Sequence, residues 1–422
     1  MKKLLILGGN YSTVLVVKYA QSMGIHTVVT SMNPNGEAKE IADEAIDIDV
    51  TDHETLVDYI KKNNIDGVMT GASEFHILNM IQLCKKAGLA VYATEEQWNT
   101  CQNKLSFKKL CRDNNVPCVR EFYIKDNPDT FDYPVIVKPS DGCSARGITV
   151  CKNVNEFELA AEKALENSTE KKLIIEKFIE NKGTTMSVRY IAVDGELYLE
   201  AVGDRYVLDS NNGKALITAA AFYPSKYTDF YIKNIDEKVK KMFKNLGLKN
   251  GVLFMESIAN PDGIWFYEMG LRISGGMTYK ITEQTNDVNE LKMLINYAVS
   301  GTMCTKEDTK KIDPHFNGYI SASISLPLRE GTISKITGID KIKSYKDVGD
   351  ITVYWSEGET ILPKHIGTLD QLFARIPIIT KGKDKLNNII LAIKENISVL
   401  DENGDEMIIW SKLEEIHQNY SN

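Results

Sequence analysis

No stretch of this 422-residue chain approaches the roughly 18 consecutive apolar residues that a membrane-spanning helix requires. The seven cysteines contain no C-x-x-C pair and stand at no metal-binding spacing from histidine, which argues against a disulfide framework and a zinc site. Cys101, Cys111 and Cys118 are close in sequence, but they fall on an amphipathic helix and the loop after it, a reduced, cytoplasmic pattern. Basic runs are missing too. Lys and Arg come singly or in pairs, the net charge is −8 and the isoelectric point is near 5.5, so a nucleic-acid partner is not expected. There is no internal repeat and no low-complexity segment. Met1-Lys-Lys-Leu-Leu-Ile-Leu7 briefly imitates a secretory leader, but its apolar run ends at Gly8-Gly9, too short for one. A cytoplasmic protein is expected.

What is present is a chain too long for one ordinary core, 43% hydrophobic and 26% charged, with a prior of two to four domains. The first 95 residues alternate strand and helix: strands over 4–7, 27–30, 46–50, 67–70 and 90–92, with helices over 12–23, 54–63 and 73–87. That alternation predicts a parallel α/β layer. Its first turn, Gly8-Gly-Asn-Tyr-Ser12, lacks the G-x-G-x-x-G spacing, so a dinucleotide site is poorly supported. A helix over 95–114 leads into a mixed region running to 313, which includes a helix over 231–246. From 314 a β-rich segment with a helix over 383–397 predicts a smaller α+β unit. The expected domains are therefore 1–95, 96–313 and 314–422.

The most telling segment starts at Gly251 and runs to Glu256, turns at Pro261-Asp-Gly263, and returns to Glu268-Met-Gly-Leu-Arg272 and Ser274-Gly-Gly276. Apolar residues flanking a Pro-Asp-Gly turn predict a β-hairpin with one carboxylate near the end of each strand. Antiparallel pairing would set Glu256 beside Glu268, and two buried like charges are costly unless a cation lies between them. Oxygen ligands suit magnesium, which takes its remaining ligands from water and phosphate. Arg272 adds a planar fork for an anion, and Ser274-Gly-Gly276 offers backbone N–H groups beside it. The blander alternative is a surface hairpin with charged ends.

Upstream, Tyr133-Pro-Val-Ile-Val-Lys138 ends a strand on a lysine that feeds the loop Ser140-Asp-Gly142-Cys-Ser144-Ala-Arg146-Gly147. Small residues let backbone amides approach phosphate oxygens, and Lys138 and Arg146 supply charge; an ordinary turn is the competing reading. Leu173-Ile-Ile-Glu176-Lys-Phe-Ile179 is an apolar strand whose exit could wall an adenine ring, or simply a core strand. Lys104 lies on a helix, where lysine is normally solvated. Specificity is assigned to loops over 203–214 and 278–286. Asp204 and Arg205 in the first are candidates for substrate contact, beside the reading of a surface ion pair.

Taken in order, Lys104, Val137-Lys138 with the loop to Gly147, Ile175-Glu-Lys-Phe-Ile179, Glu256, and Glu268 with Arg272-Ile-Ser-Gly-Gly276 resemble the ATP-grasp superfamily. The nearest branch is that of biotin carboxylase, carbamoyl phosphate synthetase and the L-amino-acid ligases. The resemblance spans nearly the whole chain and implies a parallel α/β domain before the ATP-grasp domain (two α+β subdomains hinged near 176–183) and a small β-rich domain after it. It further implies that Lys104 and Lys138 hold ATP phosphates under a loop containing Gly142, Ser144 and Gly147, and that Glu176, Lys177 and Ile179 meet adenine. Glu256 and Glu268 would bind two magnesium ions, with manganese as a substitute. Arg272, with Lys138 and Arg146, would serve the reacting groups. The implied activity is an ADP-forming carboxylate–amine ligase working through an acyl phosphate on small-molecule substrates, with an amino acid as a candidate acid; a homodimer is compatible with it. Two alternatives are a bicarbonate-phosphorylating enzyme of the biotin carboxylase type, disfavoured because the chain lacks a Met-Lys-Met biotin sequence, and a nucleotide-binding protein without turnover. The chain departs from the family at Gly270, where Asn is usual, and at Gly183-Thr-Thr-Met186, where a Glu is usual.

Overall fold

The computed structural model describes residues 1–9, 11–123, 125–140, 147–169, 171–180, 184–208, 217–411 and 413. Its first layer is a parallel sheet of β1 (Lys3–Leu7), β2 (His26–Thr30), β3 (Glu44–Ile46) and β4 (Gly67–Thr70), in the order β3-β2-β1-β4. Leu4, Leu5, Ile6 and Leu7 are all fully buried, as expected of a strand covered on both faces. The expected strand over 90–92 does not form. Tyr92 is used instead as a packing wedge, its ring 2.9 Å from where a Cβ on Gly251 would stand. The strand expected over 46–50 ends at Ile46, because Asp49 folds its carboxylate onto the amide and hydroxyl of Thr51 and turns the chain.

The helix expected over 95–114 is two helices, Glu95–Gln102 and Lys104–Asp113. Asn103 breaks it with an extended backbone (ψ 116°), and its side chain accepts from Ser106 N at 3.0 Å as the cap of the second helix. Lys104 thus becomes the first residue of a helix. A small antiparallel sheet follows, of β5 (Glu121–Phe122), β6 (Val135–Pro139), β7 (Thr149–Cys151) and β8 (Leu173–Lys177), in the order β5-β8-β6-β7.

The strands β9 (Thr184–Val193), β10 (Glu196–Val207), β11 (Thr218–Tyr223), β12 (Gly251–Asn260) and β13 (Gly263–Gly270) form most of a large sheet. Between β11 and β12 the helical stretch starts at Thr228, earlier than 231, and contains a π turn over Ile232–Asp236. The large sheet continues past residue 313. From the segment β14 (Ile320–Pro327), β15 (Gly331–Thr337), β16 (Thr352–Val353), β17 (Thr360–Ile361), β18 (Leu372–Thr380) and β19 (Ser398–Asp401), three strands join it, giving β13-β12-β9-β10-β11-β14-β18-β16. The seam pairs Ala220 with Ile324. β17, β15 and β19 make a separate three-stranded sheet.

One apolar core joins the first layer to the large sheet. Helix Glu290–Ser300 packs so closely on β4 that a Cβ on Gly67 would come within 2.2 Å of Ala298 O. No helix among the described residues is long and apolar enough to cross a membrane.

Candidate active site

β12 and β13 form the expected hairpin, and their register sets Glu256 directly opposite Glu268, with a bulge immediately after Glu256. The two carboxylates have unequal surroundings. Glu256 is buried: its Oε2 pairs with the Arg205 guanidinium and its Oε1 accepts from Ser187 Oγ at 3.2 Å. The Glu268 side chain is 43% exposed, and Lys104 Nζ lies 3.8 Å from its Oε2. Arg205 is therefore neither a surface residue nor the partner of Asp204. It also donates to Thr218 Oγ1 at 2.7 Å, while Asp204 accepts from Ser225 Oγ at 2.6 Å and from Lys226 N at 3.1 Å. The ion pair proposed from adjacency fails because neighbours in a strand point to opposite faces.

The small sheet contributes the second cluster. Lys138, at the penultimate position of β6, reaches across to β8 and donates to Glu176 Oε2 at 2.6 Å. Burial, with Lys108 and Lys104 nearby, holds the Lys138 ammonium well below the ordinary lysine range. Lys108 is completely buried between Glu121 (3.4 Å) and Glu176, and Arg112 closes on the other Glu121 oxygen. Lys108 and Glu121 escape a reading of motifs. The signal was the position of Lys108 itself: it shares the buried face of its helix with Phe107 and Cys111, where a lysine must have partners.

Lys177 turns its side chain away, to Asp132 Oδ1 (2.9 Å), Asp132 O (3.0 Å) and Tyr133 O (3.1 Å), and its backbone N–H donates to Arg120 O at 2.9 Å, so a ligand would meet its carbonyl. Ile179 follows β8 and is half-buried. Gly147 is buried at φ 72°, against Asn167 and Pro139. Gly142, Ser144 and Arg146 lie outside the described residues.

Arg272 leaves β13 toward the first layer. Its Nη2 donates to Glu74 Oε1 at 3.1 Å, its Nη1 to Ile273 O at 3.0 Å, and its guanidinium carbon sits 5.0 Å from the centre of the Phe254 ring. Its buried Nε has no partner among the described residues. Beside it, Ser274 Oγ accepts from Gly276 N (3.1 Å) and from Arg189 Nη2 (2.9 Å), and Gly275 O accepts from Arg375 of β18. This loop is thus pinned by two separate strands of the large sheet, β9 and β18. The segment 278–286 is not a loop: it is helix Tyr279–Asn286, with Lys280 tied to Asp350 at 2.5 Å and Thr352 at 3.0 Å.

Residues 103–278 match the family described as D-ala D-ala ligase C-terminus. That span begins at the Asn103 cap and ends just past the Ser274-Gly-Gly276 loop, so it encloses both clusters. The chain has the ATP-grasp fold. Among ATP-grasp relatives, phosphoribosylamine–glycine ligase of Clostridium acetobutylicum is 23% identical over 374 residues, 83% of this chain and 86% of that protein. Phosphoribosylglycinamide synthetase from Anaerococcus prevotii superposes with a TM-score of 0.76 at 21% identity, covering 95% of this chain and all of that one. L-amino acid ligase from Bacillus licheniformis does so with a TM-score of 0.74 at 18% identity, over 95% and 99%. The ATP-grasp architecture is common to all three.

Proposed function

We propose that this chain is an ATP- and magnesium-dependent ligase that joins a carboxylic acid to an amine through an acyl phosphate, with an amino acid as the leading class of acid. The observation that carries the reading is that Lys138, paired with Glu176, lies within electrostatic reach of both Lys104 and Glu268, with Glu256 opposite Glu268. The relatives named above, two of them amide-forming by name, support it.

The donor set fits magnesium. Glu256 and Glu268 are oxygen donors at facing positions, and a carboxylate has enough lone pairs to keep Arg205 or Ser187 and still meet an ion. Among the described residues there is no group of three His, Cys, Asp or Glu side chains suited to a metal, so phosphate and water would complete the shell. Bound there, magnesium neutralises phosphate charge.

The chain's own residues then divide the work. Lys104 and Lys138 receive phosphate oxygens, and the backbone of Lys177 and Ile179 meets the adenine edge. Arg272 and the amides beside Ser274 hold the acid's carboxylate so that its oxygen faces the γ-phosphorus. An O–P bond forms as the bond to ADP breaks. The amine nitrogen next attacks the acyl carbon, the C–O bond to phosphate breaks, and the amine proton passes to solvent. Residues 1–95, 96–313 and 314–422 serve this site as three units, the last two sharing the large sheet. A coupled ADP-release assay across a panel of amino acids tests the whole reading: release that depends on an added acid and amine supports it, and no acid-dependent release with any member of the panel overturns it.

A further inference from the structure

Glu176 is buried and touches two lysines that differ in what they can do. Lys138, on Oε2, lies at the edge of the phosphate region with its side chain 13% exposed. Lys108, against Oε1, is fully buried and makes ion-pair contact without an aligned hydrogen bond. A lysine that turns its donors to phosphate from this position loosens its hold on Glu176, and a buried carboxylate that loses its cation is strongly disfavoured. A second cation already in contact with that carboxylate removes most of the cost.

Resting on the nucleotide site proposed above, we propose that Lys108 is a positioning residue for ATP binding: it takes over Glu176 when Lys138 turns to the nucleotide phosphates. Glu121 sets how freely it does so. Glu121 holds Lys108 at 3.4 Å and is itself held by Arg112, so it competes with Glu176 for the same ammonium. Five side chains thus form a chain of alternating charge, Arg112–Glu121–Lys108–Glu176–Lys138, whose outer end alone faces the ligand. The arrangement makes opposite demands on Lys108 and Glu121. Removing Lys108 leaves Lys138 locked on Glu176, whereas neutralising Glu121 releases Lys108 to Glu176 and frees Lys138.

The test is calorimetric titration of the full chain with magnesium and a non-hydrolysable ATP analogue, and separately with adenosine, which has no phosphate for Lys138. Lys108→Met is expected to weaken the analogue by on the order of ten- to a hundredfold, the scale of one charge-assisted hydrogen bond. Glu121→Gln is expected to tighten it by roughly two- to fivefold. Adenosine affinity is expected to stay constant in both. A purely structural role would move adenosine and analogue together in Lys108→Met, and that result overturns the proposal. If Lys108→Met does not fold, Glu121→Gln decides alone: tighter analogue binding supports the handover, and unchanged or weaker binding overturns it. If the unaltered chain binds no analogue, the nucleotide site itself is refuted and the handover with it, an outcome distinct from normal binding that ignores both substitutions.

Discussion

The ring of Phe254 occupies the space in front of Gly270. The two residues are cross-strand partners, and a Cβ built on Gly270 would stand 2.5 Å from Phe254 Cε1 and Cζ. The same ring carries the Arg272 guanidinium 5.0 Å from its centre. Glycine at 270, where the resemblance leads one to expect asparagine, is therefore a packing requirement here: the ring that carries Arg272 leaves no room for a side chain. The metal ligands proposed on the hairpin are then Glu256 and Glu268 alone. Gly270→Ala is expected to cost about 1–3 kcal/mol by overpacking, and Phe254→Leu in the same chain is expected to recover much of it. Thermal unfolding of the two single variants and the double variant measures the coupling; simple additivity would mean the contact is not the cause.

Glu268→Gln removes one charge at nearly constant volume from a half-exposed side chain. Turnover is expected to fall by on the order of 10²–10³, the usual cost of losing a stabiliser of developing charge, with little change in melting temperature. Full activity in the folded variant would refute the metal assignment.

Arg272 presents two explanations that its partner can separate. If the arginine matters only as an ion pair across to the first layer, Glu74→Ala should reproduce Arg272→Ala, since Glu74 is the carboxylate it holds at 3.1 Å. If Arg272 holds a substrate anion, Glu74→Ala should leave kcat/KM within a few-fold, while Arg272→Ala and Arg272→Lys both depress it strongly, because lysine lacks the planar fork. Steady-state kinetics of the three variants distinguishes the cases, and rescue by lysine would reject the bidentate role.

These roles sit on features of very different visibility in the sequence. The hairpin was legible from its Pro261-Asp-Gly263 turn between apolar runs, but its register was not: counted from the Asn260–Gly263 pair, a regular ladder sets Glu256 opposite Tyr267, and the bulge after Glu256 brings Glu268 opposite it instead. The split at Asn103 was legible in principle, since the helix-capping asparagine stands just ahead of Lys104. Pairing between β11 and β14 was not: Ala220 and Ile324 are joined by a register that no local pattern encodes, so the large sheet seemed to end where the composition changes at 314. Arg205 was read as a surface residue for a related reason. Its partner Glu256 lies 51 positions away and meets it across strands, while the adjacent Asp204 offered a false partner. Buried charges are legible as a class, as Lys108 on an apolar helix face illustrates, but their partners become known only with the fold.

A last expectation concerns two carboxyls behind the Ser274 loop. Glu200 and Glu290 are almost wholly buried, and burial, then mutual repulsion, pushes Glu290 well above the ordinary carboxyl range; burial also raises Glu200, whose Oε1 accepts from Thr282 Oγ1 at 3.1 Å. A raised folded-state value means that the folded chain holds a proton the unfolded chain gives up. The stability tied to that proton is complete below the unfolded carboxyl value of about 4.3 and is lost as pH rises through the folded value. Glu290→Gln keeps a neutral hydrogen-bonding group of the same shape and has no proton to lose. Melting temperatures taken from pH 4.5 to pH 8 should therefore decline less on the alkaline side for Glu290→Gln than for the unaltered chain. Parallel curves would show that Glu290 is ionised in the folded protein, with the Arg189 guanidinium, held at Ser274, as the charge that stabilises it.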